Sequence, residues 1–358
     1  MGTILATGVT MPDRKRKEAS HTSFNGRLVL AGLGTCVGLA TGFAAGRWGL
    51  LTATLVLGVV AVLVLWSLWN TLPPRRTPAG RRAAPDPVRV RWPEALPLRS
   101  FHGNDRLLFC VHGFPSTPAD FRRLEEASNA RGWDMAAPLL PGCGTEPDDI
   151  LCTGWDDYLA VVRDWWSELR PRYRSACLVG TSMGGSLCLA LAEETCETEA
   201  LSPAAMATIG TPVVLNAMLR HGILKNPLLY HARALGAIIP TIGVGFPDRE
   251  GEDGDGSWKG YVGIFTRQSY SLQANLRRVE RELGKVTCPI LVCQARGDRI
   301  VPFENAAVIE RGVGSDVIEA YVANMDAFGH ARHNLVLYDS QRDRVWARIL
   351  DFLEANGG

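Results

Sequence analysis

Residues 180–184 read Gly-Thr-Ser-Met-Gly, and no other stretch constrains the fold of this chain as strongly. An apolar run at 176–179 precedes this segment, and the small and apolar residues at 185–192 follow it with helical character. A G-x-S-x-G pentapeptide between a strand and a helix forms a sharp turn that exposes the serine at the top of a sheet. The glycines suit such a turn because strand and helix leave no room there for a Cβ atom. The pattern predicts strand, turn and helix, with Ser182 as a candidate nucleophile.

Short apolar runs recur through the rest of the chain and alternate with segments of helical spacing. The predicted strands are 107–111, 135–137, 176–179, 204–209, 290–294 and 317–322, and the predicted helices include 118–130, 153–169 and 343–354. Continuous apolar strands alternating with helices are typical of a mostly parallel sheet covered on both faces. We therefore expect an α/β domain over 93–358, with ligands bound outside the carboxyl ends of its strands.

One long stretch, 212–285, interrupts this alternation. It contains scattered aromatic and apolar residues and an acidic, glycine-rich segment at 248–256, but no clear strand pattern. Because it lies between two predicted strands of the sheet, we interpret it as an inserted lid over the serine.

A serine hydroxyl is a poor nucleophile unless a histidine takes its proton and a carboxylate orients that histidine. In a strand–turn–helix context of this kind, the chain order is serine, acid, histidine. Asp298 follows the predicted strand 290–294 and is the candidate acid. Two histidines follow the last predicted strand. His333 is the favoured base because it lies nearer the final helix, and His330 is the alternative.

The negative charge that develops on a substrate carbonyl needs two backbone N–H donors. One is expected from Met183, the residue after the nucleophile, and the other from Phe114, in the loop after the strand 107–111. The neighbouring His112 is interpreted as a residue that braces this loop rather than as a second base.

Two uncharged runs near the N-terminus, 28–45 and 48–69, each reach the length that crosses a bilayer. Tryptophans lie at both ends of the second run, where interfacial aromatic residues are common. A cleaved signal peptide would have a shorter apolar core and no second long run directly after it. We therefore predict a membrane anchor over 24–70, with two candidate transmembrane helices in a hairpin. The first run is rich in glycine and weakly hydrophobic, so a single span at 48–69 with a peripheral first segment stays open.

Basic residues flank this predicted anchor on both sides. They lie in a tail at 1–23 and in a proline- and arginine-rich linker at 71–92, which is expected to be extended. The positive-inside rule places both flanks in the cytoplasm. The sequence thus predicts a protein of the inner or plasma membrane with a cytoplasmic catalytic domain.

Neither the overall charge nor the spacing of the cysteines suggests nucleic acid or a metal ion as a partner. A net charge of +1 gives no reason to expect nucleic acid. The nine cysteines lack the spacing of zinc ligands and scatter through apolar runs, so we expect no metal and mostly reduced thiols.

Four segments together resemble the α/β-hydrolase superfamily, and within it the bacterial carboxylesterase and monoacylglycerol lipase group. They are 112–118, 137–145, 180–185 and 297–298. The resemblance implies a Ser-Asp-His triad, a lid between the sixth and seventh strands, acyl esters as substrates and no cofactor. Cys143 stands where this group usually has histidine, and 328–333 departs from its usual Ser-x-His pattern.

The sequence therefore predicts a membrane-anchored serine hydrolase that cleaves acyl or lipid esters, such as monoacylglycerols, through an acyl-enzyme intermediate. A thioesterase or an acyltransferase would use the same residues and stays open. A membrane-tethered binding protein on an inactive hydrolase fold is the alternative outside enzymes.

Overall fold

The computed structural model describes residues 49–71, 89–247, 253–325 and 331–357. The chain divides into two compact units, Met1–Leu68 and Trp69–Gly358. Helix α1 (Gly49–Thr71) coincides with the second uncharged run of the sequence. Within the residues that the structure describes, no helix is long and apolar enough to span a bilayer. The basic tail, the first predicted span at 28–45 and most of the linker lie outside these residues, and the hairpin stays a prediction.

Seven strands of the second unit form one sheet in the order β1-β3-β2-β4-β5-β10-β11. They are β1 (Leu98–Ser100), β2 (Arg106–Val111), β3 (Asp134–Ala137), β4 (Ser175–Thr181), β5 (Met206–Ile209), β10 (Ile290–Arg296) and β11 (Ile318–Asn324). Every neighbouring pair is parallel except β1 and β3, which are antiparallel. The predicted mostly parallel sheet is confirmed.

Helices cover the sheet and join its strands. They are α2 (Ala119–Arg122), α3 (Glu125–Ala130), α4 (Pro147–Ile150), α5 (Trp155–Leu169), α6 (Met183–Thr195), α7 (Met218–His221), α8 (Ala232–Ile238), α9 (Thr266–Glu282), α10 (Glu304–Gly312) and α11 (Arg342–Gly357). Short 3-10 helices lie at Pro93–Ala95, Arg170–Arg172, Pro227–His231, Asp255–Ser257 and Leu283–Lys285.

Successive side chains of each central strand enter different cores, because side chains alternate across a sheet. Leu107 and Phe109 of β2 pack into a core that α5, α6, α9 and α10 cover. Leu108 and Cys110 pack into a second core on the opposite face, covered mainly by α2 and α11. Burial on both faces explains why these strands have continuous apolar sequences rather than alternating ones.

The insertion between β5 and β10 differs from its prediction in two respects. It contains two small antiparallel hairpins, β6 (Asn216–Ala217) with β7 (Ile223–Leu224) and β8 (Thr241–Gly245) with β9 (Val262–Phe265). Its last part, α9, is no lid, because Leu276 and Val279 are buried in the core of the domain. We therefore define the cap as residues 212–265, about twenty residues shorter at its end than the predicted lid 212–285.

Candidate active site

Ser182 lies in the turn between β4 and α6, as the pentapeptide predicts. Its backbone has φ 53° and ψ −126°, a conformation that L-residues rarely adopt. The Ser182 N–H donates to the carbonyl oxygen of Ile209 at 2.8 Å, which fixes the turn against β5. A Cβ atom at Gly184 would overlap the carbonyl oxygens of Val111 and His112. Glycine is therefore required where α6 begins beside β2.

Asp298 and His333 form a direct hydrogen bond. His333 Nδ1 donates to Asp298 Oδ2 at 2.8 Å, and the side chains are 13% and 0% exposed, respectively. The second carboxylate oxygen accepts the backbone N–H groups of Ile300 at 2.7 Å and Val301 at 2.9 Å. Because a carboxylate accepts at Nδ1, the proton of neutral His333 lies on that nitrogen and Nε2 keeps its lone pair.

The ring of His333 packs against the chain that leaves β5. A Cβ atom on Gly210 would lie 3.0 Å from His333 Nδ1 and 3.1 Å from Cε1, and Gly210 has a φ of +57°. Ser182 and His333 line the same cavity. The alternative base, His330, lies outside the described residues. The structure thus brings His333 to Asp298 and to the cavity of Ser182.

The loop after β2 lies directly against the serine. A Cβ atom on Gly113 would lie 2.9 Å from Ser182 Cβ and 3.6 Å from Ser182 Oγ. Phe114 follows Gly113 and lines the cavity. Met183 is the first residue of α6, and the N–H of a first helical residue has no partner within its helix. Both predicted oxyanion donors therefore lie beside Ser182.

His112 braces this loop, in agreement with its interpretation from the sequence. It is fully buried, its Nδ1 donates to the Gly113 carbonyl at 2.8 Å, and its Nε2 accepts the Leu140 N–H at 3.1 Å. Burial lowers the pKa of His112 to about 4, so the ring stays neutral near pH 7. With both nitrogens occupied, His112 cannot serve as a second base.

Two polar residues of the site follow no recognised motif. Gln294 Nε2 donates to Asp298 Oδ2 at 2.9 Å, so four donors orient this carboxylate together. Asp120 is buried beside Asn334 and lines the cavity. In the sequence, only its place at the end of the otherwise apolar run 290–294 distinguishes Gln294, whereas Asp120 resembles any acidic residue in the first turn of a helix.

The cavity above Ser182 has a volume of about 740 Å³. Its cap side is largely aromatic and apolar, with Phe246, Trp258, Tyr261, Ile264 and Phe265. The cap is tied to the loop after β2, because Thr117 Oγ1 donates to the Lys259 carbonyl at 2.9 Å and Tyr261 N donates to the Pro115 carbonyl at 3.2 Å. In the part of the chain that the structure describes, no group of His, Cys, Asp or Glu side chains is arranged to hold a metal ion.

A parallel sheet with a strand–serine–helix turn, and an aspartate–histidine pair at the same strand edge, defines an α/β hydrolase. The chain belongs to the alpha/beta hydrolase family, whose model matches residues 108–348. The resemblance predicted from the four sequence segments is thereby confirmed.

Named relatives are lipases and esterases. The chain is 28% identical over 248 residues to the thermostable monoacylglycerol lipase of Bacillus sp. (strain H-257), covering 69% of this chain and 90% of the relative. It is 25% identical over 256 residues to a carboxylesterase of Bacillus subtilis (strain 168), covering 71% of this chain and 95% of the relative.

Solved structures share the same fold. A structure reported for the metagenome-derived lipolytic enzymes LipS and LipT matches with a TM-score of 0.60 and 25% identity, over 74% of this chain and 98% of that one. A soluble variant of monoglyceride lipase from Saccharomyces cerevisiae matches with a TM-score of 0.56 and 17% identity, over 74% of this chain and 91% of that one.

Proposed function

We propose that this protein is a serine esterase in which Ser182 is the nucleophile, His333 the general base and Asp298 the orienting acid. The observation that carries the proposal is the 2.8 Å bond from His333 Nδ1 to Asp298 Oδ2, with His333 and Ser182 on one cavity. The family match and the relatives named lipase and carboxylesterase support an ester-hydrolysing enzyme.

The geometry supports a two-step acyl transfer. His333 Nε2 takes the proton of the Ser182 hydroxyl as Oγ attacks the ester carbonyl. The backbone N–H groups of Phe114 and Met183 donate to the oxyanion, and Asp298 stabilises the imidazolium that forms. His333 then protonates the leaving alcohol. In the second step His333 takes a proton from a water molecule as it attacks the acyl carbon, and it then returns that proton to Ser182 Oγ as the carboxylic acid leaves.

The substrate class follows from the cavity and the relatives. A cavity of about 740 Å³ with an aromatic and apolar cap side suits an acyl chain better than a compact polar ester. The monoacylglycerol lipase relative supports a glycerol monoester as one natural form of such a substrate. We therefore propose acyl esters, including monoacylglycerols, as the preferred substrates.

Attachment to a membrane belongs to the same proposal and rests on the sequence. The uncharged runs 28–45 and 48–69, flanked by basic residues, support a hairpin anchor of the inner or plasma membrane with the catalytic domain in the cytoplasm. An anchored enzyme would meet acyl esters where they concentrate, at the bilayer surface.

The test is hydrolysis by the purified full-length protein in detergent micelles. p-Nitrophenyl esters of graded chain length and a monoacylglycerol would be compared with the matching acyl thioester. We expect turnover of the esters that rises with chain length beyond acetate, and its loss in Ser182→Ala. Faster turnover of the thioester would favour a thioesterase, and no serine-dependent turnover of any of them would refute the proposal.

A further inference from the structure

A carboxyl group outside the Ser-Asp-His set faces the same cavity. Asp120 lies in α2, directly after the loop that carries Phe114. It is 3% exposed, yet it lines the cavity that Ser182 and His333 also line. Burying a carboxylate is costly unless other groups compensate it, so the contacts of Asp120 are informative.

Two hydrogen bonds connect Asp120 to the two loops that perform the chemistry. Ser116 Oγ, in the loop after β2, donates to Asp120 Oδ1 at 2.8 Å. Asn334 Nδ2, directly after His333, donates to Asp120 Oδ2 at 2.9 Å. A single carboxyl group therefore ties the loop of the oxyanion donors to the loop of the base, across 214 positions of sequence.

The cationic groups nearest to Asp120 in sequence and in the cap are engaged elsewhere. Arg122 donates to the backbone oxygens of 94, 96 and 97, and Arg123 pairs with Asp339 at 2.7 Å. In the cap, Lys259 Nζ lies 3.4 Å from the Gly256 carbonyl. Among the described residues, no lysine or arginine pairs with Asp120, and His333 is the ionisable group that acts on it.

Burial dominates the titration of this carboxyl group. It raises the pKa of Asp120 to about 7, against the opposing effects of Ser116, Asn334 and His333. His333 in turn is bonded to Asp298, and His112 is held neutral between two backbone groups. Asp120 thus changes charge in the pH range in which a serine esterase works.

Asn334 is suited to respond to that change. Its Oδ1 is buried and has no hydrogen-bond partner in the part of the chain described. When Asp120 is ionised, Asn334 presents its N–H to the carboxylate. When Asp120 is protonated, a flipped amide can accept the carboxyl O–H with Oδ1. Exchange between these two orientations of the Asn334 amide would explain why Oδ1 has no partner in one of them.

We propose that Asp120 is a positioning residue for the base. Its carboxylate holds the His333 loop against the oxyanion loop, and its charge stabilises the imidazolium formed when His333 takes the serine proton. This role rests on the proposed serine esterase function. It adds a second carboxylate, bonded to Asn334, to the one that Asp298 supplies to His333.

The substitution Asp120→Asn removes the negative charge of the side chain and keeps its shape. The amide oxygen still accepts from Ser116, and the amide N–H₂ donates to Asn334 Oδ1 after that side chain flips, so both loops stay tied. We expect kcat on p-nitrophenyl butyrate to fall about 10-fold while KM stays within about twofold, since only a charged partner of the imidazolium is lost. Glu126→Gln, the same change on an exposed position of α3, should leave both constants unchanged.

The pH profile distinguishes this role from a structural one. In the wild type, kcat should fall by a further factor of about 10 as Asp120 becomes protonated near pH 7, because the protonated carboxyl group no longer carries the charge that stabilises the imidazolium. In Asp120→Asn this fall near pH 7 should be absent. Thermal unfolding of each variant checks that it folds.

Wild-type kcat and an unchanged pH profile in folded Asp120→Asn would overturn the proposal. If that variant does not fold, Asn334→Ala decides, because it removes the tie to the base loop and keeps the carboxylate. It should lower kcat about 10-fold and retain the further fall in kcat that accompanies protonation of Asp120, and an unchanged kcat would refute the role of the tie. Ser182→Ala in parallel shows whether hydrolysis is serine-dependent, so failure of the esterase proposal is recognised separately.

Discussion

At the scale of single residues, Ser182 is both the proposed nucleophile and a site of backbone strain. With φ 53° and ψ −126°, it lies in a region that costs a non-glycine residue about 1–3 kcal/mol. The hydrogen bond to the Ile209 carbonyl and the close packing of α6 on β2 hold it there. Such strain exposes the hydroxyl at the head of the turn, at the expense of stability.

Ser182→Gly should therefore stabilise the protein while it abolishes hydrolysis. Relief of strain should exceed the added entropy of glycine in the unfolded chain and raise the free energy of unfolding by about 1 kcal/mol. Ser182→Ala keeps the Cβ atom and serves as the control, with stability within about 0.5 kcal/mol of the wild type. Chemical denaturation measures both, and equal stability of the two variants would contradict the strain.

His112 should make stability depend on pH in a defined window. Its pKa is about 4 in the folded protein and about 6.5 when unfolded, so the unfolded state takes up the proton first as the pH falls. Stability contributed by the neutral ring is complete above about pH 6.5 and is lost progressively toward pH 4. Denaturation at pH 7 and pH 5 should therefore show that His112→Gln costs about 2 kcal/mol less at pH 5.

The control for this experiment is a substitution at a buried residue that does not titrate. Asn305 is fully buried, and its Oδ1 accepts the N–H groups of Val213 and Val214 at 2.8 Å. The cost of Asn305→Ala should be the same at both pH values. A pH-independent cost for His112→Gln would show that the buried ring is not the source of the dependence.

At the scale of secondary-structure elements, the insertion after β5 contains two kinds of structure. The cap carries exposed apolar residues, such as Leu228 at 57% and Ile238 at 78% exposure. Helix α9, in contrast, buries Leu276 at 1% exposure in the domain core. The cap is expected to adapt to substrate, and α9 to behave as part of the scaffold.

Leucine-to-alanine changes in the two parts should have very different costs. Leu276→Ala should lower the free energy of unfolding by about 3 kcal/mol, because it leaves a cavity in a packed core. Leu228→Ala should change it by less than about 0.5 kcal/mol. Similar costs would mean that α9 is not part of the cooperative core.

Elements with a continuous apolar pattern are predictable from this sequence. The runs around 107–111 and 290–294 are strands because burial on both faces demands apolar side chains at every position. The edge strand β1 is three residues long and half exposed, so it leaves no such pattern. Helix α9 is highly polar on its outer face and follows a glycine-rich segment. Its buried apolar residues are therefore hard to recognise in the sequence.

The sequence predicts those residues of the site that belong to a short local sequence motif. Ser182 and Met183 follow from one pentapeptide, and Asp298 from its place after a strand. The contact of Asp120 with Asn334 joins positions 214 residues apart, and no local pattern encodes it. Long-range polar contacts of this kind require the folded structure.

At the scale of the whole molecule, the proposed anchor would hold the enzyme at a membrane. Full-length protein should sediment with membranes and resist extraction by high salt, because apolar insertion rather than charge would hold it. Protease added to sealed cells should leave the domain 93–358 intact, and permeabilised cells should lose it. Digestion in sealed cells would reverse the orientation, and a protein found in the soluble fraction would refute the anchor.

Identifying the residue that a fluorophosphonate modifies would show whether Ser182 is a nucleophile that His333 activates. The full-length protein would be labelled in detergent micelles and the modified peptide sequenced by mass spectrometry. We expect one adduct, on Ser182, with a labelling rate about 10³-fold lower in His333→Ala and close to wild type in His330→Ala. An adduct on another residue, or no adduct on a folded and monodisperse protein, would show that Ser182 is not the nucleophile.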